Sequence, residues 1–336
     1  MINEEILEEL NSFFVNNDNN VIDNLDYFLF VGESLLKIIK KLNIDTDMFD
    51  KYSEVIDICK IQDVFDFVDK YNKKFNIDLD INKLINDGII VYDSYAYDEL
   101  LSDKRKNIID LRGLCNMDGT TIMIRNNASL NDAIIFIHEL SHYKDISNKF
   151  NETRFWFTEA LAITEELIAI DELDDFNLKL FCFYFRILYI KKCLNNVTGV
   201  LPIMIVYQNF GDTSQESYSK IFEDDLYESD IKNFLNYVNY YLEKKKKFNL
   251  DESVFEQLVG ELKYVIGFIV AISLYEKYKL DNNYMIDLQN LHKLINELDI
   301  YDFLKKLNFD TQVSRVSEIL KEYISLFVGC ENKKIK

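Results

Sequence analysis

Apolar residues recur at helical spacing along most of this chain. Near its start, Ile6, Leu10 and Phe13 follow one another at intervals of three and four residues, which is the spacing of one helix face. Proline occurs once and glycine nine times in 336 residues, so few positions favour a break in a helix. The pattern predicts a mainly α-helical protein in which residues 1–87 form an N-terminal helical region.

Two short stretches have instead the composition of β-strands. Residues 89–92 are apolar and follow a glycine, and residues 120–125 carry β-branched side chains at intervals, as strands do. Asn126 and Asn127 then indicate a turn. These stretches predict a small sheet within the helical protein.

A helix that carries candidate catalytic residues follows the second stretch. Ser129 with Asp132 three positions later is typical of a helix N-terminus, so we expect a helix that begins at residue 130. It contains His138, Glu139 and His142, which form an HExxH motif. Residues four apart lie on the same face of a helix, so the two imidazoles can hold one zinc ion. Glu139 lies at the edge of that face, where it can take a proton from a water on the zinc.

The surroundings of the motif strengthen this interpretation. Residues 133–137 are apolar on nearly every side of the predicted helix, so the helix is expected to be buried. Two buried histidines and a carboxylate are costly without partners, and a metal ion would satisfy all three. The alternative is a pair of core histidines that bind no metal.

A catalytic zinc site needs a third protein ligand and an open fourth position. Glu159 is the expected ligand because it follows His142 on the next predicted helix, with Glu165 or Glu166 as substitutes. Glu166 lies two turns beyond Glu159 on the same face, where it can accept a hydrogen bond from a ligand imidazole. His292, the remaining histidine of the chain, is predicted to lie on an amphipathic surface helix.

Charge and composition narrow the class of function. The formal net charge of −20 argues against nucleic acid or an anionic membrane as a partner. The N-terminus lacks the pattern of a secretory signal, and no run approaches the ~18 apolar residues of a membrane span. The five cysteines are scattered and form no CxxC pair, so we expect free thiols in a cytoplasmic protein.

The order of the motifs resembles that of the oligoendopeptidase F and thimet oligopeptidase family. The segments that carry the resemblance are, in chain order, Val91-Tyr92-Asp93-Ser94-Tyr95, Arg112-Gly113-Leu114-Cys115, residues 122–126, the HExxH helix, Glu159 with Glu166, residues 263–271 and residues 304–310. Together they cover about residues 88–325. Only the zinc motif is specific by itself, so the order carries the weight of the comparison.

The resemblance implies a zinc peptidase with a bilobal helical fold, a cleft between the lobes and a small sheet next to the HExxH helix. Residues 88–336 would form the catalytic domain and hold one Zn²⁺ on His138, His142 and Glu159. Tyr264 corresponds to a family tyrosine that faces the zinc and could donate a hydrogen bond to the oxyanion. The substrate would be a peptide or an unfolded polypeptide.

The strand before the HExxH helix would then be an edge strand, to which an extended substrate can pair. The alternative is a small structural hairpin. The chain also departs from the family, because Ser141 replaces a glycine, Asp145 stands where the family has a third histidine, and no histidine precedes Tyr264. The N-terminal lobe is reduced.

Two other functions remain open on the sequence alone. Repressor-cleaving metallopeptidases also combine HExxH with a nearby glutamate, but their pattern around that glutamate matches only in part at Glu159 and Ala162. A protein that keeps the fold without turnover, and binds a peptide or protein partner, is favoured by the missing histidine before Tyr264.

Overall fold

A computed structural model describes residues 4–16, 59–93, 113–115, 120–146, 152–248, 254–281 and 283–307. The described chain is mainly helical with a small three-stranded sheet, as predicted. Its helices are, in chain order, α1 (Glu4–Asn16), α2 (Ile61–Lys74), α3 (Ile81–Asn86), α4 (Leu130–Lys144), α5 (Glu152–Asp171), α6 (Phe176–Phe210), α7 (Gln215–Tyr218), α8 (Tyr227–Phe248), α9 (Val254–Leu280), α10 (Tyr284–Leu294) and α11 (Ile300–Leu307). The strands are β1 (Ile90–Tyr92), β2 (Gly113–Cys115) and β3 (Ile122–Ile124).

The chain divides into two compact units, each built from two separate stretches. The first unit combines residues 1–43 with 190–265, and the second combines residues 44–189 with 266–336. All three strands and the HExxH motif belong to the second unit. The predicted division into residues 1–87 and 88–336 stays a prediction.

The sheet has the order β1-β3-β2, with β1 parallel and β2 antiparallel to β3. Ile122 pairs with Ile90 on one side and with Cys115 on the other. The strand before the HExxH helix is therefore the central strand of the sheet, and the expectation that it is an edge strand is wrong. Among the described residues, β1 and β2 form the edges.

Helix α4 begins at Leu130, as predicted from Ser129. The Ser129 hydroxyl accepts a hydrogen bond from the Asn131 amide at 3.0 Å, which satisfies a backbone donor at the helix start. The carboxylate of Asp132 accepts hydrogen bonds from outside the helix, from the Tyr92 hydroxyl at 2.7 Å and from the Asn127 backbone amide at 2.8 Å. The first turn of α4 is thereby tied to β1 and to the preceding turn.

Helix α4 is the centre of the second unit. It contacts α5, α2, β2 and β3. Its apolar residues Ala133, Ile134, Phe136 and Ile137 are buried, as the apolar sequence predicted. Helices α10 and α11 contact α5. The HExxH motif is therefore held inside a helical core rather than on a surface helix.

The first unit has its own core. The Phe255 ring of α9 lies 5.7 Å from the Phe13 ring of α1 and 6.2 Å from the Phe234 ring of α8. The buried carboxylate of Glu261 accepts hydrogen bonds from Asn196 at 3.1 Å and from the Tyr241 hydroxyl at 3.0 Å. Burial raises the pKa of Glu261 above its usual value, although these donors oppose the shift.

Helix α9 is long and apolar enough to cross a membrane, by length and composition. Of its most apolar window, 83% is buried inside the protein, and the buried core helices of globular proteins meet the same criteria. The expectation that no membrane is a partner stays a prediction.

Candidate metal centre

The three predicted ligand residues converge on one point in the second unit. His138 and His142 lie one turn apart on α4, and Glu159 lies on the neighbouring helix α5. The two Nε2 atoms are 3.1 Å apart, and the Glu159 Oε2 atom lies 3.5 Å from His138 Nε2 and 3.6 Å from His142 Nε2. Ligands about 2.0–2.1 Å from a tetrahedral zinc lie roughly 3.4 Å apart. This group, which could hold a metal ion, has the spacing that such an ion needs.

The hydrogen bonds of Thr158 fix the tautomer of His142. The Thr158 hydroxyl donates to the Asp145 Oδ2 atom at 2.8 Å. A hydroxyl has a single proton to donate, so the contact of 2.9 Å with His142 Nδ1 must be one in which the ring nitrogen donates. His142 therefore carries its proton on Nδ1 and directs a lone pair from Nε2 towards the metal position.

His138 is oriented in the same way by Glu166. Its Nδ1 atom lies 3.1 Å from the Glu166 Oε2 atom, and a carboxylate can only accept, so Nδ1 donates. Arg186 holds this carboxylate from the other side, with Nε donating to Oε1 at 2.9 Å and Nη2 contacting Oε2. Burial raises the pKa of Glu166, but Arg186 and His138 overcome this and lower it. The predicted hydrogen bond between Glu166 and a ligand imidazole is present.

Two lone pairs that face each other across 3.1 Å repel unless a positive charge lies between them. Burial lowers the pKa of His138, but hydrogen bonds to Glu159 and Glu166 outweigh it and raise the pKa to about 9. Without a metal, a proton therefore occupies this position near neutral pH. A metal cation would have to displace that proton, as is usual for histidine ligands.

The charges around the group also favour a divalent cation. Five carboxylates are almost completely buried there: Glu139, Asp145, Glu159, Glu165 and Glu166. Three cationic side chains are paired with them: Lys144, Arg186 and His292. The five carboxylates and three cations sum to a charge of −2 while His138 is neutral, as metal binding requires, and to −1 while His138 is protonated. Uncompensated buried charge is strongly unfavourable, and a divalent cation at the convergence point neutralises it.

Glu139 is buried beside the group, and its role as a general base stays a prediction. Burial raises its pKa, although the nearby imidazoles of His138 and His142 oppose the shift. Strand β2 approaches this side chain closely, because a Cβ atom on Gly113 would lie 2.6 Å from Glu139 Oε1. Any residue larger than glycine at position 113 would require the Glu139 side chain to shift from this place.

A second glycine allows the close approach that positions Glu159. A Cβ atom on Gly267 of α9 would lie 2.9 Å from the Glu159 Cβ atom and 3.1 Å from the Ala160 backbone nitrogen. The part of α9 that belongs to the second unit therefore lies directly against the ligand-bearing turn of α5. The sequence indicated Gly267 only as a feature of a family motif.

Two candidates from the sequence have other surroundings. Glu165 is no substitute ligand, because its carboxylate pairs with Lys144 and with His292. Burial raises the pKa of Glu165, but Lys144 and His292 lower it to about 2. Tyr264 is half-buried beside Lys263 on the part of α9 that belongs to the first unit. Its predicted role at the zinc stays a prediction.

Sequence reasoning missed Arg186 and misplaced His292. His292 is buried, not on a surface helix as expected. It follows the buried Leu288 by one turn of α10 and precedes the buried Ile295, which directly follows the end of the helix. A histidine at helical spacing between buried leucine and isoleucine positions was the available signal. Arg186 is half-buried on α6, where it pairs with Glu166, and no local pattern in the sequence marks it.

We compared the chain with protein-family models, with curated proteins and with solved structures, and found no match. The resemblance to the oligopeptidase family therefore rests on the order of the motifs alone and stays a prediction.

Proposed function

We propose that this protein is a zinc-dependent peptidase that hydrolyses bonds in peptides or unfolded polypeptides. The observation that carries the proposal is the convergence of His138 Nε2, His142 Nε2 and the Glu159 carboxylate, with both Nδ1 protons directed away to acceptors. Two imidazoles and one carboxylate form a common set of protein ligands in catalytic zinc sites, which leave the fourth position for solvent or substrate. When bound, a zinc ion in such a set polarises a carbonyl and activates water near neutral pH.

Glu139 supplies the proton transfers in this proposal. It follows His138 directly, and burial raises its pKa towards the range in which a carboxylate acts well as a general base. It takes a proton from the attacking water and delivers it to the leaving amine. Tyr264 is proposed as a hydrogen-bond donor to the oxyanion, by analogy with the family.

Strand β2 is the proposed docking edge for the substrate. It is an edge of the sheet in the described part of the chain, and its Gly113 lies against the Glu139 side chain. An extended peptide that pairs with β2 would therefore pass next to the general base. The expectation of strand addition thus moves from β3 to β2.

The two compact units support the further proposal of a reduced bilobal peptidase fold. The cysteines of the described residues, Cys59, Cys115, Cys182 and Cys193, are free thiols, which supports a reducing cytoplasm as the site of action.

The test is cleavage of a quenched fluorescent peptide library by the wild-type protein and by Glu139→Gln. Glutamine has nearly the same size, so zinc binding measured by elemental analysis should persist, while the rate should fall about 10²–10⁴-fold with loss of the base. Glu172→Gln is the matched control, since Glu172 pairs with Lys74 at 2.5 Å outside the metal group, and it should cleave like wild type.

The proposal fails if the purified wild-type protein takes up no zinc. If zinc is bound and neither the wild-type protein nor Glu172→Gln cleaves any peptide, the better description is a peptidase-fold protein that binds a partner without turnover.

A further inference from the structure

A buried chain of hydrogen bonds leads from His292 on α10 to the metal group. His292 Nδ1 lies 2.6 Å from Asp145 Oδ1, and its Nε2 lies 2.9 Å from Glu165 Oε1. Both acceptors are carboxylates, so both ring nitrogens donate, and the ring is an imidazolium. Asp145 is 0% exposed, and the other oxygen of its carboxylate takes part in the next hydrogen bond of the series.

That other oxygen accepts the Thr158 hydroxyl at 2.8 Å, and Thr158 in turn accepts the Nδ1 proton of His142 at 2.9 Å. The two donors between His142 and Asp145 therefore point away from the metal position, whereas His292 donates from the far end, so Asp145 accepts hydrogen bonds from both sides. The positive charge of His292 keeps Asp145 an acceptor. Without it, a buried carboxylate would lose its counter-charge, and the direction of the chain would no longer be fixed.

We propose that His292 is a positioning residue for the metal centre, and that it acts through Asp145 and Thr158 to hold His142 in the tautomer whose Nε2 carries the lone pair. This inference rests on the proposed metal-binding function and deepens it. It also gives a role to Asp145, which stands where the family that the motifs resemble has a histidine.

A purely structural role is the competing explanation. His292 also joins α10 to α4 and α5, and its neighbours share that task, because Gln289 donates to Glu165 at 3.0 Å and Asn296 donates to the Asp145 carbonyl at 3.1 Å. If His292 only joined helices, removing the Thr158 hydroxyl would not reproduce the effect of replacing His292.

The first measurement is Zn²⁺ affinity, determined by competition with a chromogenic chelator. We expect His292→Gln and Thr158→Val each to lower the affinity about 10–100-fold, the usual effect of losing a group that orients a ligand. Thr158→Ser keeps the hydroxyl and should restore most of the affinity. Gln289→Ala is the matched control, one turn earlier on α10 and in contact with Glu165 but not with Asp145, and it should stay within about threefold of wild type.

The second measurement separates the two explanations. The double variant His292→Gln, Thr158→Val should bind zinc about as well as Thr158→Val alone, because both substitutions interrupt the same series of hydrogen bonds. Independent structural effects of the two substitutions on zinc affinity would instead add. In the metal-free protein, ¹⁵N NMR of the histidines should show the Nδ1–H tautomer of His142 in wild type and a mixture of tautomers in either single variant.

Unchanged zinc affinity and an unchanged His142 tautomer in His292→Gln would overturn the inference and leave the metal centre intact. If that variant does not fold, the pair Thr158→Val and Thr158→Ser tests the same chain, and equal affinities for the two would overturn it. A wild-type protein that binds no zinc refutes the proposed function instead, and the NMR signal of His142 then still tests the direction of the chain.

Discussion

Which nitrogen of each imidazole is left for a cation depends on single hydrogen bonds. In His138 and His142 the Nδ1 atom is engaged by an oxygen on α5, from Glu166 and Thr158 respectively. Both Nε2 atoms consequently point at the Glu159 carboxylate. The site is preorganised for a cation because its rings do not need to rotate or change tautomer when the ion binds.

Zinc binding should depend on pH through His138. Its pKa is raised from 6.5 to about 9, so the metal-free site is protonated at pH 7 and the ion must displace that proton. The apparent affinity should therefore rise about tenfold per pH unit as the pH increases towards about 9, with release of about one proton at pH 7. Isothermal titration calorimetry in buffers of different ionisation enthalpy measures both quantities.

The stability of the metal-free protein should change with pH in the opposite direction to zinc affinity. A raised pKa in the metal-free protein contributes stability below the ordinary value of 6.5, and this contribution is lost as the pH rises through about 9. The metal-free protein should thus be less stable in urea at pH 9.5 than at pH 7. Zinc affinity that is constant between pH 6 and 8, without proton release, would contradict this account of His138.

Some of these residues could be predicted from the sequence, and others could not. His138, Glu139 and His142 follow from helical spacing within one segment, and Glu166 follows from its spacing to Glu159. Arg186 contacts the site from α6, and no local sequence pattern predicts which buried carboxylate pairs with an arginine on another helix. Spacing orders side chains within one helix, but contacts between helices depend on packing.

At the scale of elements, close contacts between helices and strands determine the geometry of the site. Gly267→Ala should push α9 away from the ligand-bearing turn of α5, because the new Cβ would lie 2.9 Å from Glu159 Cβ and 3.1 Å from a backbone nitrogen. We expect a loss of about 1–3 kcal/mol in the free energy of unfolding, as for other overpacked contacts, and weaker zinc binding. Urea unfolding and chelator competition measure the two effects.

Gly260→Ala on the same helix is the control, since nothing lies within 4 Å of its added Cβ. It should leave zinc affinity unchanged and stabilise the helix by about 0.5–1 kcal/mol. If both variants behave alike, the contact between Gly267 and Glu159 does not position the ligand.

The sheet shows what the sequence could reveal about elements. β1 and β3 were predicted because each has enough apolar and β-branched residues, and the start of α4 was predicted from Ser129. β2 was missed because it contains no β-branched residue and begins at Gly113, where a glycine usually indicates a turn. Since β2 pairs with β3, missing it also made β3 look like an edge. Whether a strand is central is decided by its partners and not by its own composition.

At the scale of the whole molecule, the sequence did not mark the division into units. Each unit is assembled from two distant stretches, and the boundaries at residues 189/190 and 265/266 fall inside the continuous helices α6 and α9. Domain boundaries are usually recognised by exposed linkers rich in glycine, proline or polar residues. No such linker exists where a helix runs through the boundary, so composition could not locate it.

The buried charge of the second unit leads to a prediction for the whole molecule. With no cation, the buried groups around His138 keep an excess negative charge even when His138 takes up a proton, so removal of the ion by a chelator should lower the melting temperature. A ligand at 100 times its Kd stabilises the folded state by about 2.7 kcal/mol, and about 2–4 °C per kcal/mol applies to domains of this size class. We therefore expect the melting temperature to decrease by at least about 5 °C, and differential scanning fluorimetry measures this change.

Two variants show whether this decrease comes from the proposed site. Glu139→Gln retains all three ligands and should show the same chelator-dependent decrease, whereas His142→Ala removes one ligand and should melt at one temperature with or without chelator. The balance of charge also predicts that Glu139→Gln, which removes the excess negative charge that remains when His138 is protonated, is more stable than wild type once the metal is gone. A chelator that strips the zinc without changing the melting temperature of the wild-type protein would show that the buried carboxylates are neutralised in another way.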